Sequence, residues 1–488
     1  MSPAEEMTDS RRWAAFAAAA TSLFLTLLDF SIVNVALPSI ATDTGASTAS
    51  LQWVISGYAL AFGMVPIIAG RLGDDIGRRR MLLIGIAGFV VTSAASGLAP
   101  TPGVLIAARV LQGLAGGILN PQVSGLVQQL FGIAERGKAF GVIGAMVGTA
   151  TAGGPVVGGV IIALGGTHLG WRLNFLINVP IGIASFVLCW RLLPRTRPAG
   201  RRRRLDLPGA GLLTLGIGSV LFPAVQYDAH HDARLALALI PAAAFLVALA
   251  LWERGPARRR GHPLINTTLL RVSSYASGLG TALAYFTGYS GLPLVLTLFL
   301  QLGLHYSALH AGLTASAFAI GVTVSAPIGG SLVSRLGRRL LVGALTIFCV
   351  GVVGAIVVGS TVPGSVSSTT VGLILLGPLF VAGLGGGSVI TPNQALSLQE
   401  VNPIEGSTAG GMLQTAQRIG AALGAALCSA VFYAVVSAAA SGGRARAREF
   451  GHGFAAALGL TVVLSLVALG LSLRATRRVA QPGASADG

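Results

Sequence analysis

The sequence predicts an all-α, polytopic membrane protein with about fourteen transmembrane helices, grouped as six, two and six. Three observations predict it. Hydrophobic residues make up 53% of the 488 positions, only 10% are charged, and the mean hydropathy is +0.77. Soluble domains carry roughly 25% charged residues, so water is not the main solvent of this chain. Apolar stretches long enough to cross about 30 Å of hydrocarbon recur along its whole length. Finally, a basic, glycine-punctuated segment that follows the second stretch returns after the tenth.

The stretches are 14–37, 51–71, 81–99, 103–126, 138–165, 171–193, 206–226, 235–253, 273–300, 309–333, 340–359, 369–392, 407–438 and 452–473. The tenth and thirteenth carry several polar residues, so a count of twelve or thirteen also stays open. The first exceeds the roughly 7–15-residue core of a cleaved signal peptide and reads as a retained span. The 68 glycines fit helices that pack closely in lipid. Cys189, Cys349 and Cys428 each lie inside an apolar run, an odd number that gives no disulfide framework.

Basic residues set the orientation. All 33 are arginine except Lys138, and they gather in short loops. With a cytoplasmic N-terminus, only Arg172, Arg234, Arg444, Arg446 and Arg448 fall outside, and Arg109 and Arg418 fall within spans. Both termini are then cytoplasmic in a multi-pass protein of the plasma membrane. The outer cluster Arg444–Arg448 has no explanation on this topology. The net charge of +17 is thus a topology signal, and a nucleic-acid partner is not expected. Trp13, Trp53, Trp171, Trp190 and Trp252 all fall at predicted span ends, as an interfacial belt requires.

The repeat divides the chain. Gly70–Arg79 (GRLGDDIGRR) and Gly330–Arg339 (GSLVSRLGRR) share five of ten positions and both face the cytoplasm. Their offset of eight spans implies six spans, a two-span insert and six more. The predicted parts are a cytoplasmic tail (1–13), an N-terminal six-helix bundle (14–193), a two-helix insert with basic linkers Arg195–Arg204 and Arg254–Arg260 (194–272), a C-terminal six-helix bundle (273–473) and a cytoplasmic tail (474–488).

Several segments carry chemistry: Leu28–Pro38 (LDFSIVNVALP), the Gly70–Arg80 loop, Arg109–Gly113 (RVLQG), Gly154–Gly159 (GPVVGG) and Trp171–Gly182 (WRLNFLINVPIG). In this order and at these depths the set resembles the major facilitator superfamily, specifically its fourteen-span drug:proton antiporter family of multidrug efflux proteins. That resemblance covers essentially the whole chain. It implies two six-helix bundles rocking about a central cavity. It also implies proton-coupled antiport of small organic molecules such as drugs, dyes or antibiotics, with no cofactor beyond the proton-motive force. The expected partners are the lipid bilayer, protons and the solute, and the expected state is a monomer.

Asp29 is the only carboxylate deep within a span. An ionised aspartate at the bilayer centre costs ~2.5–3.5 kcal/mol even on insertion scales. A group that takes up and releases a proton there can couple proton entry to solute exit, the role the resemblance assigns it; a purely structural pairing is the other reading. Arg109 and Gln112 share a helix face at i and i+3. Asp29 is a candidate partner for Arg109, and the family role is to assist proton transfer; cross-linking backbone carbonyls is the alternative. Arg418, with Gln414 and Gln417 nearby, is assigned a similar part in the second half.

In the Gly70–Arg80 loop, Gly70, Asp74, Gly77 and Arg78 are candidate gating residues. Asp74 can interact with a helix N-terminus or pair with a loop arginine, latching the cytoplasmic side. The family usually has a basic residue after this aspartate; here Asp75 stands there, and in the second copy Ser334 replaces the aspartate. Gly154, Pro155, Gly158 and Gly159 are further gating candidates. Gly141, Gly144, Gly148, Ala152, Pro155 and Gly159, three and four residues apart, predict one smooth ridge with a kink at Pro155.

Asn34, Gln52, Trp53, Tyr58, Gln112, Tyr285, Tyr289 and Arg418 are candidates for the substrate cavity, with Phe286 beside the two tyrosines. An aromatic, mostly apolar pocket suits amphipathic or cationic molecules, and Asp29 would be the negative charge that attracts them. The histidine-bearing Tyr227–Asp232 lies on a short loop without spacing that would focus ligands, so no metal site is expected. No phosphate-cradling loop, zinc-protease motif or nucleophile elbow occurs, and an enzyme is not expected. A proton-linked exporter of one endogenous metabolite or siderophore stays open. So do a polytopic membrane enzyme and a sensor without transport.

Overall fold

A computed structural model describes residues 7–194, 206–230, 239–255, 268–362, 367–439 and 447–479, and every regular element among them is helical. The first half contains α1 (Asp9–Thr44), α2 (Thr48–Met64), α3 (Pro66–Ile76), α4 (Arg78–Gly97), α5 (Pro102–Leu130), α6 (Ile133–Leu176) and α7 (Asn178–Leu192). Then come α8 (Leu207–His230) and α9 (Leu239–Arg254). The second half is α10 (Ser273–Leu298), α11 (Ala308–Leu336), α12 (Arg338–Thr361), α13 (Ser368–Ser397), α14 (Gly406–Ala439) and α15 (Ala447–Val479).

Among the described residues, ten helical stretches are long and apolar enough to cross a membrane, and α2 with α3, bent by 47°, makes an eleventh. The bend falls at Val65–Pro66, where proline removes a backbone donor. One of the ten, Ile133–Leu192, runs for 60 residues. Straight, it would measure about 90 Å, some three times the hydrocarbon thickness. It is not straight. Gly166 adopts φ 68° and ψ −175°, open to glycine without strain, and the chain folds back so that Gly170 lies against Ile162. The insert is shorter, with an apolar helix Pro208–Val220 inside α8 and 16 residues in α9.

Within the first half, α1 packs on α6 and α7, α5 on α2 and α4, and α4 on α7. The second half repeats the pattern, with α13 between α11 and α12 and α10 between α14 and α15. The halves meet where α3 and α5 touch α14 and where α6 touches α11 and α13. Helices α8 and α9 pair with each other, and α8 leans on α2 and α14. Asp206 closes that pair, capping α8 at the Gly209 amide (3.1 Å) and accepting from the Trp252 indole of α9 (2.9 Å).

Small residues set the close approaches. A Cβ on Gly141 of α6 would stand 3.2 Å from the Cα atoms of Gly330 and Pro327 of α11, and one on Gly148 would stand 2.9 Å from Thr323 Cα. The predicted ridge on α6 is in fact two faces. Gly137 to Gly148 meet α11 of the other half, whereas Gly154 and Gly158 meet Ser31 and Ile32 of α1. A Cβ on Gly159 would meet nothing within 4 Å, and Pro155 is exposed with no break in the helical dihedrals around it. A 3.6-residue helix cannot hold a long three-and-four pattern on one line, so the stripe rotates from one neighbour to the next.

Trp171 also departs from expectation. It is fully buried against protein, so it is not a lipid-facing belt residue, and it donates to Asp43 at 2.9 Å. Arg172 reaches the same carboxylate (3.3 Å) and the Ala99 carbonyl (2.9 Å), and His168 pairs with Asp43 as well. This cluster ties the end of α1 to the α4–α5 turn and to α6. The first basic linker (Arg195–Arg204), positions 256–260 of the second, the side chains of Tyr227–Asp232, and Arg234, Arg444 and Arg446 lie outside the described residues.

Candidate functional site

A fully buried polar cluster forms because four helices of the first half each bring one polar face to the same point. Thr101 caps α5, its hydroxyl accepting from Val104 N, and Pro102 opens the helix; this start sets Arg109 and Gln112 two to three turns inside. Arg109 Nη1 donates to Asp29 Oδ2 at 2.6 Å. Asp29 Oδ1 accepts from Gln112 Nε2 (3.1 Å) and from Asn178 Nδ2 (2.8 Å), the first residue of α7. Arg109 also donates to Gln112 Oε1 (2.7 Å) and the Val54 carbonyl (3.2 Å), and Asn178 donates to Ser93 Oγ of α4 (3.1 Å). Asp29, Arg109, Gln112, Asn178 and Ser93 are all 0% exposed.

The pairing has a clear physical basis. A buried ion pair is tolerable only when the remaining lone pairs and protons are hydrogen-bonded, and here the carboxylate accepts three bonds. The guanidinium lies 4.1 Å from the Tyr58 ring centroid and 5.5 Å from that of Phe175, so its face is covered too. Asn178 and Ser93 were not singled out from sequence. The available signal was Asn174 and Asn178, one turn apart in an apolar span; Asn174 is fully buried with no hydrogen-bonding partner for either side-chain polar atom.

Beside this cluster lies a cavity of about 180 Å³ lined by α1 (Thr26, Leu27, Phe30), α2 (Tyr58 to Leu60, Phe62) and α14 (Arg418, Ala421, Ala422). Both halves therefore contribute to it. Tyr58 is the shared wall, with Arg109 against its ring, and its hydroxyl donates to the Thr26 carbonyl at 3.3 Å. Arg418 stands over Phe62 at 4.6 Å.

Of the residues expected in the cavity, Tyr58 and Arg418 line it. Gln112 does not; it is turned inward onto Asp29. Asn34 is exposed and donates to the Phe30 carbonyl of its own helix (3.2 Å). Gln52 and Trp53 are half-buried and outside the lining. Tyr285 and Tyr289 belong to an aromatic cluster inside the second half with Phe286, Phe318 and Phe348, and the Tyr285 hydroxyl is taken up by the Gly386 carbonyl at 3.2 Å. Edge-to-face packing within one bundle satisfies these rings. Phe30 and Phe62 were missed, although Phe62 sits one turn after Tyr58 on the same face.

At the opposite end of α2 and α3, the repeated loop ties the halves together. Asp74 accepts from the Ser407 amide (3.2 Å) and from the Thr408 amide and hydroxyl (both 2.8 Å), capping the start of α14. It pairs at the same time with Arg78 (2.8 Å), which donates to the Gly125 carbonyl (2.6 Å) and to the carbonyls of Pro403 and Ile404. Gly77, at φ 107°, makes the turn that brings Arg78 round. Asp75 pairs with Arg71 at 3.7 Å. Ser124 accepts from Gln394 (3.1 Å) and Gln414 (3.2 Å) nearby.

The second copy keeps the approach and loses the cap. Gly330 sits against Gly137 as Gly70 sits against Ser407, whereas Ser334 only donates to the Ser331 carbonyl of its own helix. Since a Cβ on Gly70 would stand 2.8 Å from Ser407 C, Gly70→Leu is expected to prevent this closed arrangement. Overpacking costs about 1–3 kcal/mol, which moves the open-to-closed ratio roughly 5- to 150-fold. Cysteine accessibility around Ser124 should rise accordingly; unchanged accessibility would separate Gly70 from gating.

Residues 19–425 match the Major Facilitator Superfamily. The chain belongs to this superfamily. Among the relatives of this facilitator, the probable actinorhodin transporter of Streptomyces coelicolor is 37% identical over 413 residues, 84% of this chain and 71% of that protein. The puromycin resistance protein of Streptomyces alboniger is 36% identical over 421 residues, 85% of this chain and 80% of that protein. The crystal structure of the human organic anion transporter MFSD10 aligns with a TM-score of 0.65 over 96% of this chain and 100% of the other; at 16% identity the likeness concerns the fold alone. This facilitator is a multi-pass membrane transporter and not an enzyme.

Proposed function

We propose that the protein is a proton-driven antiporter that exports small organic molecules, antibiotics among them, and belongs to the fourteen-span drug:proton branch of its superfamily. The relatives named for antibiotic transport and resistance support the substrate class. Fourteen passes follow if the 60-residue stretch crosses twice about Gly166 and α8 and α9 each cross once. The distribution of arginine supports cytoplasmic termini in the plasma membrane. The cavity and the latch are each built from both halves of one chain, which supports a working monomer.

One observation carries the mechanism: a fully buried carboxylate, Asp29, paired with Arg109 behind the wall of a cavity between the halves. Protonating Asp29 removes the charge that holds Arg109. The guanidinium then bears differently on Tyr58, and the cavity wall moves with it. Proton uptake from the outside thereby favours release of the solute outward, and the Asp74–Arg78 latch opens for the return to the cytoplasmic side. One charge crossing 100 mV supplies ~2.3 kcal/mol, enough for a roughly 50-fold gradient when one proton exchanges for one neutral solute. In acidified inverted vesicles, at least one of a panel of neutral and acidic aromatic antibiotics should collapse the pH gradient faster when the protein is present than in its absence. Transport that proceeds at full rate without a proton gradient would refute the coupling.

A further inference from the structure

We infer that the solute is an organic anion, an aromatic carboxylate or phenolate whose acidic group is held by Arg418 while its ring lies on the Phe30–Tyr58–Phe62 wall. This inference deepens the transport reading above and rests on it for the direction of movement. It departs from the expectation that Asp29 draws in a cation. Asp29 is 0% exposed, and its oxygens are occupied by Arg109, Gln112 and Asn178. The Asp29–Arg109 pair is neutral as a unit, and no carboxylate lines the cavity among the described residues.

The charge left in the cavity is Arg418, half-buried, with no carboxylate within ion-pair distance among the described residues. Its contact with Phe62 engages a ring face, which is a weak acceptor for the five N–H donors of a guanidinium. Those donors form a planar fork that matches a carboxylate. An intramembrane arginine facing a cavity without a protein counter-charge marks a ligand path. A cation entering the same space would meet Arg418 without compensation.

The wall fits a planar ring. Phe30 and Tyr58 lie 6.1 Å apart and 33° from parallel, and Tyr58 and Phe62 lie 5.8 Å apart at 27°. The cavity of about 180 Å³ is smaller than the roughly 300–1,000 Å³ that encloses a drug-sized ligand, so it seats the acidic aromatic end of a larger molecule. Proton and anion then communicate through Tyr58 and do not compete for one site. An anion leaving a negative-inside cell is also driven by the membrane potential, in addition to the proton gradient.

The test compares two dyes with the same xanthene ring and opposite charge, carboxyfluorescein and rhodamine 6G. Binding to the purified full-length protein is read by fluorescence anisotropy, and transport is read in proteoliposomes. Wild type should bind carboxyfluorescein more tightly than rhodamine 6G. Arg418→Gln should weaken carboxyfluorescein at least tenfold and leave or improve rhodamine 6G, and Arg418→Lys, which restores the charge but not the fork, should recover part of the anion binding, showing that charge and not folding is at issue. Tighter rhodamine binding by wild type, an unchanged Arg418→Gln, or no binding of either dye would overturn the inference. Transport of rhodamine 6G alone would overturn it while leaving the transport reading intact. Arg418-dependent carboxyfluorescein binding without transport in either direction would uphold the site and remove the transport reading.

Discussion

Asp29→Asn is expected to abolish uncoupler-sensitive efflux, by at least 100-fold at matched expression, because the amide cannot take up and release a proton at the same place. The substitution has a second consequence that separates coupling from folding. Arg109 is left as a fully buried cation with neutral acceptors alone, the new amide oxygen, Gln112 Oε1 and the Val54 carbonyl, and no counter-charge. Removing one partner of a buried pair costs about 3–5 kcal/mol, whereas replacing both by neutral groups is often nearly neutral. The single variant should therefore melt at a lower temperature than wild type. Asp29→Asn combined with Arg109→Gln should recover most of that stability without recovering transport. Proton-driven efflux that persists in Asp29→Asn would take Asp29 out of the coupling step altogether.

The second large effect belongs to Asp74. Its carboxylate caps α14 through two amides and a hydroxyl and also holds Arg78, so Asp74→Ala removes four polar contacts at one stroke. Loss of a helix cap together with a charge-assisted bond amounts to about 2–3 kcal/mol. That shifts the closed-to-open ratio at this end by roughly 30- to 150-fold. Arg78 keeps the Gly125, Pro403 and Ile404 carbonyls, so the fold should survive. The readout is maleimide labelling of Ser124→Cys, a position that lies against Gln394 and Gln414 in the closed arrangement, while the three native cysteines are all buried. Labelling should quicken markedly in the Asp74→Ala background. An unchanged rate would mean that the small-residue contacts alone hold this end shut.

The two predictions draw on residues of different legibility. Asp29, Arg109 and Arg418 stand out in the sequence because an ionisable residue inside an apolar run is costly and therefore conspicuous. Asp74 was recognisable as a capping residue from its place in a glycine-punctuated loop. Its partner was not, because Ser407 lies 333 residues further along the chain. Asn178 completes the shell around Asp29 from a segment 149 residues away, and an asparagine among apolar residues announces neither its depth nor its direction.

The solvent, the helical class, the repeated basic segment and the costly polar positions were all legible along the chain. All of these are sums or patterns along the chain, and hydropathy and charge are local properties. Tertiary structure alone decided which face of each helix meets which neighbour. It turned Gln112 away from the cavity, enclosed Tyr285 and Tyr289 within one bundle, divided the α6 glycines between α11 and α1, and sealed Asp29 while leaving Arg418 at the cavity. The reason is that the rotation and tilt of a membrane helix are set by close packing against helices distant in sequence. A side chain's neighbours, and with them the charge that a solute meets, therefore exist only once the bundle has assembled.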